Sequence, residues 1–194
     1  MNETKAIIRK QVRAARDAVP AETRREWSDR ICHQALAREA YIGARTIHIF
    51  LSFQSEVDTR TIIDDALACG KRVAVPVFVK DSDETPCAQI STLDDDAFIF
   101  GKWAMRTPKV LRPVTLDEID LVFAPLVAFA PRDVAPRDGR WWRIGYGAGF
   151  YDRFLKRIRA GVSKLGLAFA LQRCETIPAE PFDVALDDVI TERM

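Results

Sequence analysis

Histidines and clustered cysteines are scarce in this sequence, and their scarcity excludes several kinds of catalytic and metal site. Among 194 residues there are two histidines and four cysteines, and no two cysteines form a CxxC pair. Because zinc sites and disulfide frameworks need such clusters, we expect the thiols to be free or buried. His33 lies in a helical pattern and His48 in a strand pattern, so structural roles are favoured for both. A histidine-centred catalytic triad therefore has little support.

The sequence also lacks a membrane-length apolar run, a secretion signal and a charge excess. Its longest nearly unbroken apolar run, residues 121–131, is too short to span a bilayer. Residues 1–17 are charged throughout, so we expect no signal peptide and a cytoplasmic protein. The formal net charge is +1, from 29 Lys and Arg against 28 Asp and Glu, which disfavours a nucleic-acid binder. The expected partners are small molecules, with no nucleic acid and no membrane, and the protein is expected to be a monomer.

Apolar residues make up 48% of the sequence, which is enough for the core of one domain over residues 1–194. Their spacing predicts helices over 4–18, 21–40, 59–70 and 149–159 and strands over 46–51, 72–77, 121–125, 164–169 and 187–192. A long loop is predicted between residues 125 and 149. The order strand, helix, strand is typical of βαβ units. We therefore predict an α/β fold: a three-layer α/β/α sandwich with a mostly parallel central sheet and N-terminal helices.

One glycine-rich segment, residues 143–153 (RIGYGAGFYDR), lies in a basic stretch and runs into a predicted helix. Glycines at alternate positions within its glycine turn, residues 145–149, let the backbone approach a ligand closely. The free N–H groups of the helix would face the turn, which makes an anion cradle suited to polyphosphate, with Arg143 at its rim. Asp152 fits there if Mg²⁺ lies between it and the phosphates. Alternatively, the glycines merely permit a tight strand-to-helix connection.

Segments along nearly the whole chain resemble the 5-formyltetrahydrofolate cyclo-ligase family. The glycine-rich segment is similar to the family's RLGYGGGYYDR signature. Lys5 to Arg9, followed by Arg13 and Arg16, resembles its KxxLRxxxxxxR helix. Residues 49–59 match a strand and loop with a glutamate before a helix, residues 120–125 resemble DLVxxP, and residues 177–187 resemble IPxExHDxxLD. These segments occur in the family's order.

The resemblance implies an ATP- and Mg²⁺-dependent enzyme that converts 5-formyltetrahydrofolate to 5,10-methenyltetrahydrofolate, with release of ADP and phosphate. In that reaction the γ-phosphoryl group of ATP, the co-substrate, is transferred to the formyl oxygen. N10 of the folate then attacks and closes the ring. Such chemistry requires positioning and charge neutralisation more than a covalent nucleophile. A sequence without an activated cysteine or histidine is consistent with that requirement.

The resemblance also implies which residues form the site. Catalysis would involve Arg143 and Tyr151, and Mg²⁺ would be held by Asp152 and Asp183. The folate substrate would contact Leu51, Glu56, Tyr146, Gly147, Ala148, Gly149 and Phe150. The nucleotide would contact Lys5, Ala6, Ile7, Ile8, Arg9, Arg143, Ile144, Gly145, Tyr146, Gly147, Ala148, Gly149, Phe150 and Tyr151. For Glu56 and Asp183, a solvated acid without a ligand is the alternative.

The sequence departs from the family's pattern at three places. The segment before Arg143 is longer than in the family, and its Trp141 and Trp142 either fold over the ATP site as a lid or fill a surface pocket. Ala148 and Phe150 replace a glycine and a tyrosine of the signature; alanine is tolerable there only if its φ is negative. Phe182 replaces the histidine of the tail motif.

Two other functions are weighed against this one. The first is a non-catalytic folate- or nucleotide-binding relative that has kept the fold. The second, by analogy of fold alone, is a sugar-phosphate isomerase or an acyl-CoA transferase. Retention of Lys5, Glu56, Asp152 and Asp183 favours the enzyme, because a degenerate copy would be expected to lose some of them.

Overall fold

Three helices open the chain, in a computed structural model that describes residues 3–78, 84–101, 106–133 and 138–193. They are α1 (Glu3–Asp17), α2 (Ala21–Leu36) and the short α3 (Glu39–Gly43). Pro20 lies at the N-cap of α2 and separates it from α1, since proline cannot continue a helix. Two helices follow later in the chain, α4 (Arg60–Ala68) and α5 (Phe150–Arg157). None of the helices within the described ranges combines the length and apolar character that crossing a bilayer requires.

Seven strands form the central sheet within the described residues: β1 (Thr46–Ile49), β2 (Arg72–Pro76), β3 (Cys87–Ile90), β6 (Pro113–Val114), β7 (Leu121–Pro125), β10 (Ser163–Leu167) and β11 (Asp188–Ile190). Their order across the sheet is β11-β10-β7-β1-β2-β3-β6. The first five in that order are mutually parallel, and β3 and β6 join the edge in antiparallel pairing. All four residues of β1 are buried, so both faces of the sheet are covered at its centre. The α/β class with a mostly parallel sheet is confirmed.

A hairpin replaces part of the predicted loop between residues 125 and 149, so that prediction is wrong. Strands β8 (Ala128–Pro131) and β9 (Trp141–Ile144) pair in antiparallel register. Trp141 lies edge-on to Phe129, with ring centroids 5.5 Å apart. Trp142 packs beside Val12 of α1 in a small second core. Both tryptophans therefore pack against other parts of the protein, which favours the packing interpretation over the lid.

A second hairpin, β4 (Phe98–Phe100) with β5 (Arg106–Pro108), was not predicted from the sequence. The predicted helix over 59–70 is confirmed in shorter form, and Gly70 ends it with φ of +71°. The predicted helix over 149–159 is α5. Its Phe154 side chain is fully buried and its ring lies 4.2 Å from that of His48 on β1. This packing places the beginning of α5 over the carboxyl end of β1.

Candidate active site

A cavity of about 700 Å³ opens where β1, β2 and β7 end. The carboxyl ends of parallel strands are where α/β sheets usually place ligands. Residues of the β1–α4 loop, Pro76 at the end of β2 and Pro125 at the end of β7 line this cavity. So do the glycine turn and the first residues of α5. The structure therefore brings together segments that the sequence separates by a hundred residues and more.

The glycine turn needs its glycines for backbone reasons. Gly147 has φ of +110° and Gly149 has φ of +68°, where side chains other than glycine are strained. Gly149 is also the N-cap residue of α5, so the free N–H groups of the helix begin at the turn. Among the described residues, Gln54 is the non-glycine residue with positive φ. The φ of Ala148 is therefore not positive, which is the condition for an alanine at this place in the turn.

Arg143 reaches the glycine turn from β9 and is 4% exposed. One guanidinium nitrogen donates to the Asp152 carboxylate at 2.7 Å, whereas Nε has no hydrogen-bond partner among the described residues. A Cβ on Gly145 would lie 2.9 Å from the Arg143 guanidinium, so glycine is what leaves room for it. Burial lowers the pKa of Arg143 and Asp152 opposes that shift. A guanidinium nevertheless stays charged in proteins.

Helix α1 brings two further cations to the cavity. Lys5 Nζ lies 2.6 Å from an Asp183 oxygen and 3.0 Å from a Glu180 oxygen. Burial alone would lower the pKa of Lys5, but its hydrogen bonds with these two carboxylates raise it above the usual value. Arg9 donates from Nε to the carbonyl oxygen of Gly145 at 2.7 Å. Helix α1 is thereby fixed to residues 180–183 through Lys5 and to the glycine turn through Arg9.

Not every side chain assigned to the nucleotide reaches the cavity. Lys5 and Arg9 line it, one turn of α1 apart. Ala6 and Ile7 between them are exposed, and Ile8 packs in the second core beside Trp142. Of the five α1 residues predicted to contact the nucleotide, Lys5 and Arg9 are thus the two whose side chains line the cavity.

Glu56 and Tyr146 face each other across the cavity wall. The Glu56 carboxylate accepts from the backbone N–H of Phe53 at 2.9 Å and from the Tyr146 hydroxyl. Burial raises the pKa of Glu56, and these two hydrogen bonds oppose the shift. Tyr146 is 40% exposed, and its hydroxyl accepts from Arg16 at 3.0 Å. Glu56 is therefore half-buried and hydrogen-bonded, not a freely solvated loop acid.

Arg16 is a site residue that sequence reasoning did not assign. Its side chain is 1% exposed, and its Nε donates to Ser55 Oγ at 3.0 Å. Ser55 in turn donates to Asp17. The sequence did contain a signal for this residue, because Arg16 belongs to the segment of α1 that resembles the KxxLRxxxxxxR helix of the family. What the sequence could not show is that α1 lies against the β1–α4 loop.

Aromatic and apolar side chains form the rest of the wall. Leu51 lines the cavity, and the Phe78 and Phe150 rings lie 4.8 Å apart. Tyr151 also lines it; its hydroxyl is buried without a hydrogen-bond partner among the described residues, and burial raises its pKa. Phe182, which replaces a histidine, is 59% exposed at the cavity edge. Flat, partly apolar ligands suit such a wall.

The two predicted magnesium ligands, Asp152 and Asp183, both line the cavity, but each already has a protein cation as partner. Within the part of the chain that the structure describes, no cluster of three or more His, Cys, Asp or Glu residues is placed to hold a metal. Magnesium is usually held by one or two carboxylates together with substrate phosphates. The donor set therefore fits an ion that arrives with a phosphate ligand.

Comparison with known proteins gives concordant matches. A model of the 5-formyltetrahydrofolate cyclo-ligase family matches residues 1–192. The 5-formyltetrahydrofolate cyclo-ligase of Mus musculus is 29% identical, over 99% of this chain and 95% of the mouse protein. That of Escherichia coli K12 is also 29% identical, over 93% of this chain and 96% of the bacterial protein.

Two solved structures share the fold. The Aquifex aeolicus 5,10-methenyltetrahydrofolate synthetase, solved by NMR, has a TM-score of 0.79 and 24% identity, over 98% of this chain and 90% of that one. The Mycoplasma pneumoniae 5,10-methenyltetrahydrofolate synthetase has a TM-score of 0.76 and 22% identity, over the whole of both chains.

Proposed function

Because the chain belongs to the 5-formyltetrahydrofolate cyclo-ligase family, we propose that it closes 5-formyltetrahydrofolate to 5,10-methenyltetrahydrofolate at the expense of ATP. The observation that carries this proposal is the composition of the cavity. A cationic cradle with free helix N–H groups and an aromatic wall with a hydrogen-bonding carboxylate face the same space. One part suits a triphosphate and the other suits a pterin.

The triphosphate binds at the glycine turn in this proposal. The N–H groups at the beginning of α5 point to the turn, and Gly147 and Gly149 hold a backbone that lets phosphate oxygens approach. Arg143 and Arg9 add positive charge on either side of Gly145. Together these groups bind and orient the phosphates and offset their charge, which is most of what phosphoryl transfer requires of a protein.

The folate binds along the aromatic wall, with its pterin near Glu56. A carboxylate accepts hydrogen bonds from pterin or formamide N–H groups and would repel a triphosphate. Arg16 and Tyr146 fix the orientation of this part of the wall through their hydrogen bonds. The formyl oxygen then faces the terminal phosphate at the glycine turn, which both substrates share.

Two chemical steps complete the reaction. The formyl oxygen attacks the γ-phosphorus and ADP leaves, which gives an imidate phosphate. N10 attacks the formyl carbon and loses its proton; the bond from carbon to oxygen breaks, and inorganic phosphate carries away the electron pair. Arg143 lies where the transferred phosphoryl group passes, and Tyr151, whose hydroxyl has no hydrogen-bond partner within the described part of the chain, supplies a donor or acceptor beside it.

Asp152 and Asp183 would hold magnesium in this scheme. When bound, the ion supplies charge neutralisation for the phosphates. Both carboxylates also position cations of the chain, Asp152 for Arg143 and Asp183 for Lys5. These ion pairs keep the cationic side chains aimed at the cavity before a substrate arrives.

The proposal is tested by following methenyltetrahydrofolate spectrophotometrically with purified protein and 5-formyltetrahydrofolate. We expect product when ATP and a divalent cation are both present, and none when either is left out. Product without nucleotide, or none under any condition, would contradict the proposal. Binding of both ligands without turnover would indicate the non-catalytic relative instead.

A further inference from the structure

Arg106 also lines the cavity, but it comes from a different part of the fold. It belongs to β5, in the hairpin with β4, and pairs there with Phe100. Its charged neighbours are Arg60, Asp58 and Asp95, and none of these belongs to the glycine turn or to α1. The cavity therefore has a second cationic position, separate from the proposed phosphate cradle.

The Arg106 guanidinium has no hydrogen bond or ion pair with any of the described residues. It lies over the ring of Phe98, with Cζ 5.5 Å from the centroid, and the residue is half-buried. Burial lowers the pKa of Arg106 and the like charge of Arg60 acts in the same direction, whereas the negative charges of Asp95 and Asp58 oppose this shift. A guanidinium carries five N–H donors, and donors partly removed from water are unfavourable unless a partner satisfies them. These features indicate a ligand with an anionic group at this position.

The proposed substrate has such a group. A folate carries its pterin at one end, a benzoyl ring in the middle and the carboxylates of a glutamyl tail at the other end. With the pterin beside Glu56 and the benzoyl ring along Phe78 and Phe150, the tail would extend away from the phosphates. We infer that Arg106 binds a carboxylate of this glutamyl tail, an inference that rests on the proposed function. The planar fork of arginine matches a carboxylate in two parallel hydrogen bonds.

The test compares binding of two ligands by isothermal titration calorimetry without ATP. One is 5-formyltetrahydrofolate, and the other is the primary amide of 5-formyltetrahydropteroate, which keeps the benzamide group but has neither carboxylate of the glutamate. The wild-type protein should bind the glutamate-bearing ligand about 10- to 100-fold more tightly, as expected for a charge-assisted contact. Arg106→Leu should abolish that difference, and Arg106→Lys, which keeps the charge without the fork, should retain part of it.

Arg112 provides the matched control. It is exposed, follows the same hairpin and does not line the cavity, so Arg112→Leu should leave the ratio of the two affinities as in the wild type. Circular dichroism checks folding, and Arg106→Gln replaces Arg106→Leu if the latter does not fold.

Two results would overturn the inference: equal affinities of the wild type for both ligands, or an undiminished preference in Arg106→Leu. Turnover of 5-formyltetrahydrofolate by the wild type in either case would leave the proposed function standing. A wild-type protein that neither binds nor converts the folate would contradict both.

Discussion

His48 should make the stability of this protein depend on pH in a way that one substitution can isolate. The ring is fully buried in β1 against the rings of Phe154 and Tyr151, and neither nitrogen is hydrogen-bonded within the described residues. Burial lowers the pKa of His48 from 6.5 to about 3. Below pH 6.5 the unfolded chain therefore binds a proton that the folded chain does not. The contribution of His48 to the free energy of unfolding is therefore at its maximum above pH 6.5 and decreases as the pH falls.

The magnitude follows from the two pKa values. Each pH unit between them changes the free energy of unfolding by about 1.4 kcal/mol, so the loss is about 2 kcal/mol at pH 5. His48→Leu roughly conserves volume and cannot take up a proton. Between pH 7.5 and pH 5, the wild type should therefore lose about 2 kcal/mol more than His48→Leu.

The assay is urea unfolding followed by tryptophan fluorescence at several pH values between 5 and 7.5. His33→Gln is the control, because His33 is the only other histidine and its side chain is exposed on α2. If wild type and His48→Leu lose the same free energy over this range, the buried neutral ring is not the cause and the reasoning is wrong.

The remaining predictions concern the cavity and are checked by steady-state kinetics. Lys5→Ala should raise KM for ATP and Glu56→Gln should raise KM for the folate; the reverse pattern would mean that the two substrates are placed wrongly. Asp152→Asn should lower turnover about 100-fold or more and change its Mg²⁺ dependence, and unchanged kinetics would exclude the role. Gly147→Ala should destabilise by about 1 kcal/mol and weaken ATP use, because φ is +110° and a residue with a Cβ is strained there, so the turn has to shift. Gly43→Ala, at a position with open space, is its control, and equal effects of the two changes would contradict the argument.

The parallel part of the fold could be predicted because its strands are continuous apolar runs buried on both faces. Leu121 to Pro125 is one such run, and Val73 to Pro76 of β2 is another. The strands that were missed are short and lie at the edge or outside the sheet. β6 has two residues and β5 has three, which are too few to show the alternation of apolar and polar residues by which a strand is predicted. Their pairing depends on tertiary neighbours that a sequence window does not contain.

The site was predictable where its residues are local and not where they meet across the fold. The glycine turn and Asp152 lie within a few residues of each other, so spacing alone predicts the cradle. The role of Arg16 depends on contact between α1 and the β1–α4 loop, and that of Arg106 on the position of a hairpin. Neither contact leaves a signal in the local pattern.

The ion pair between Lys5 and Asp183 has a consequence for synthesis on the ribosome. It joins residues 178 positions apart, so nearly the whole chain must be translated before the pair can form. Helix α1 leaves the ribosome first and remains without this partner while the sheet is made. An unfinished chain therefore cannot build the complete cradle, and we expect nascent chains that end before Glu180 to bind ATP poorly. Nucleotide binding would then distinguish finished molecules from incomplete ones.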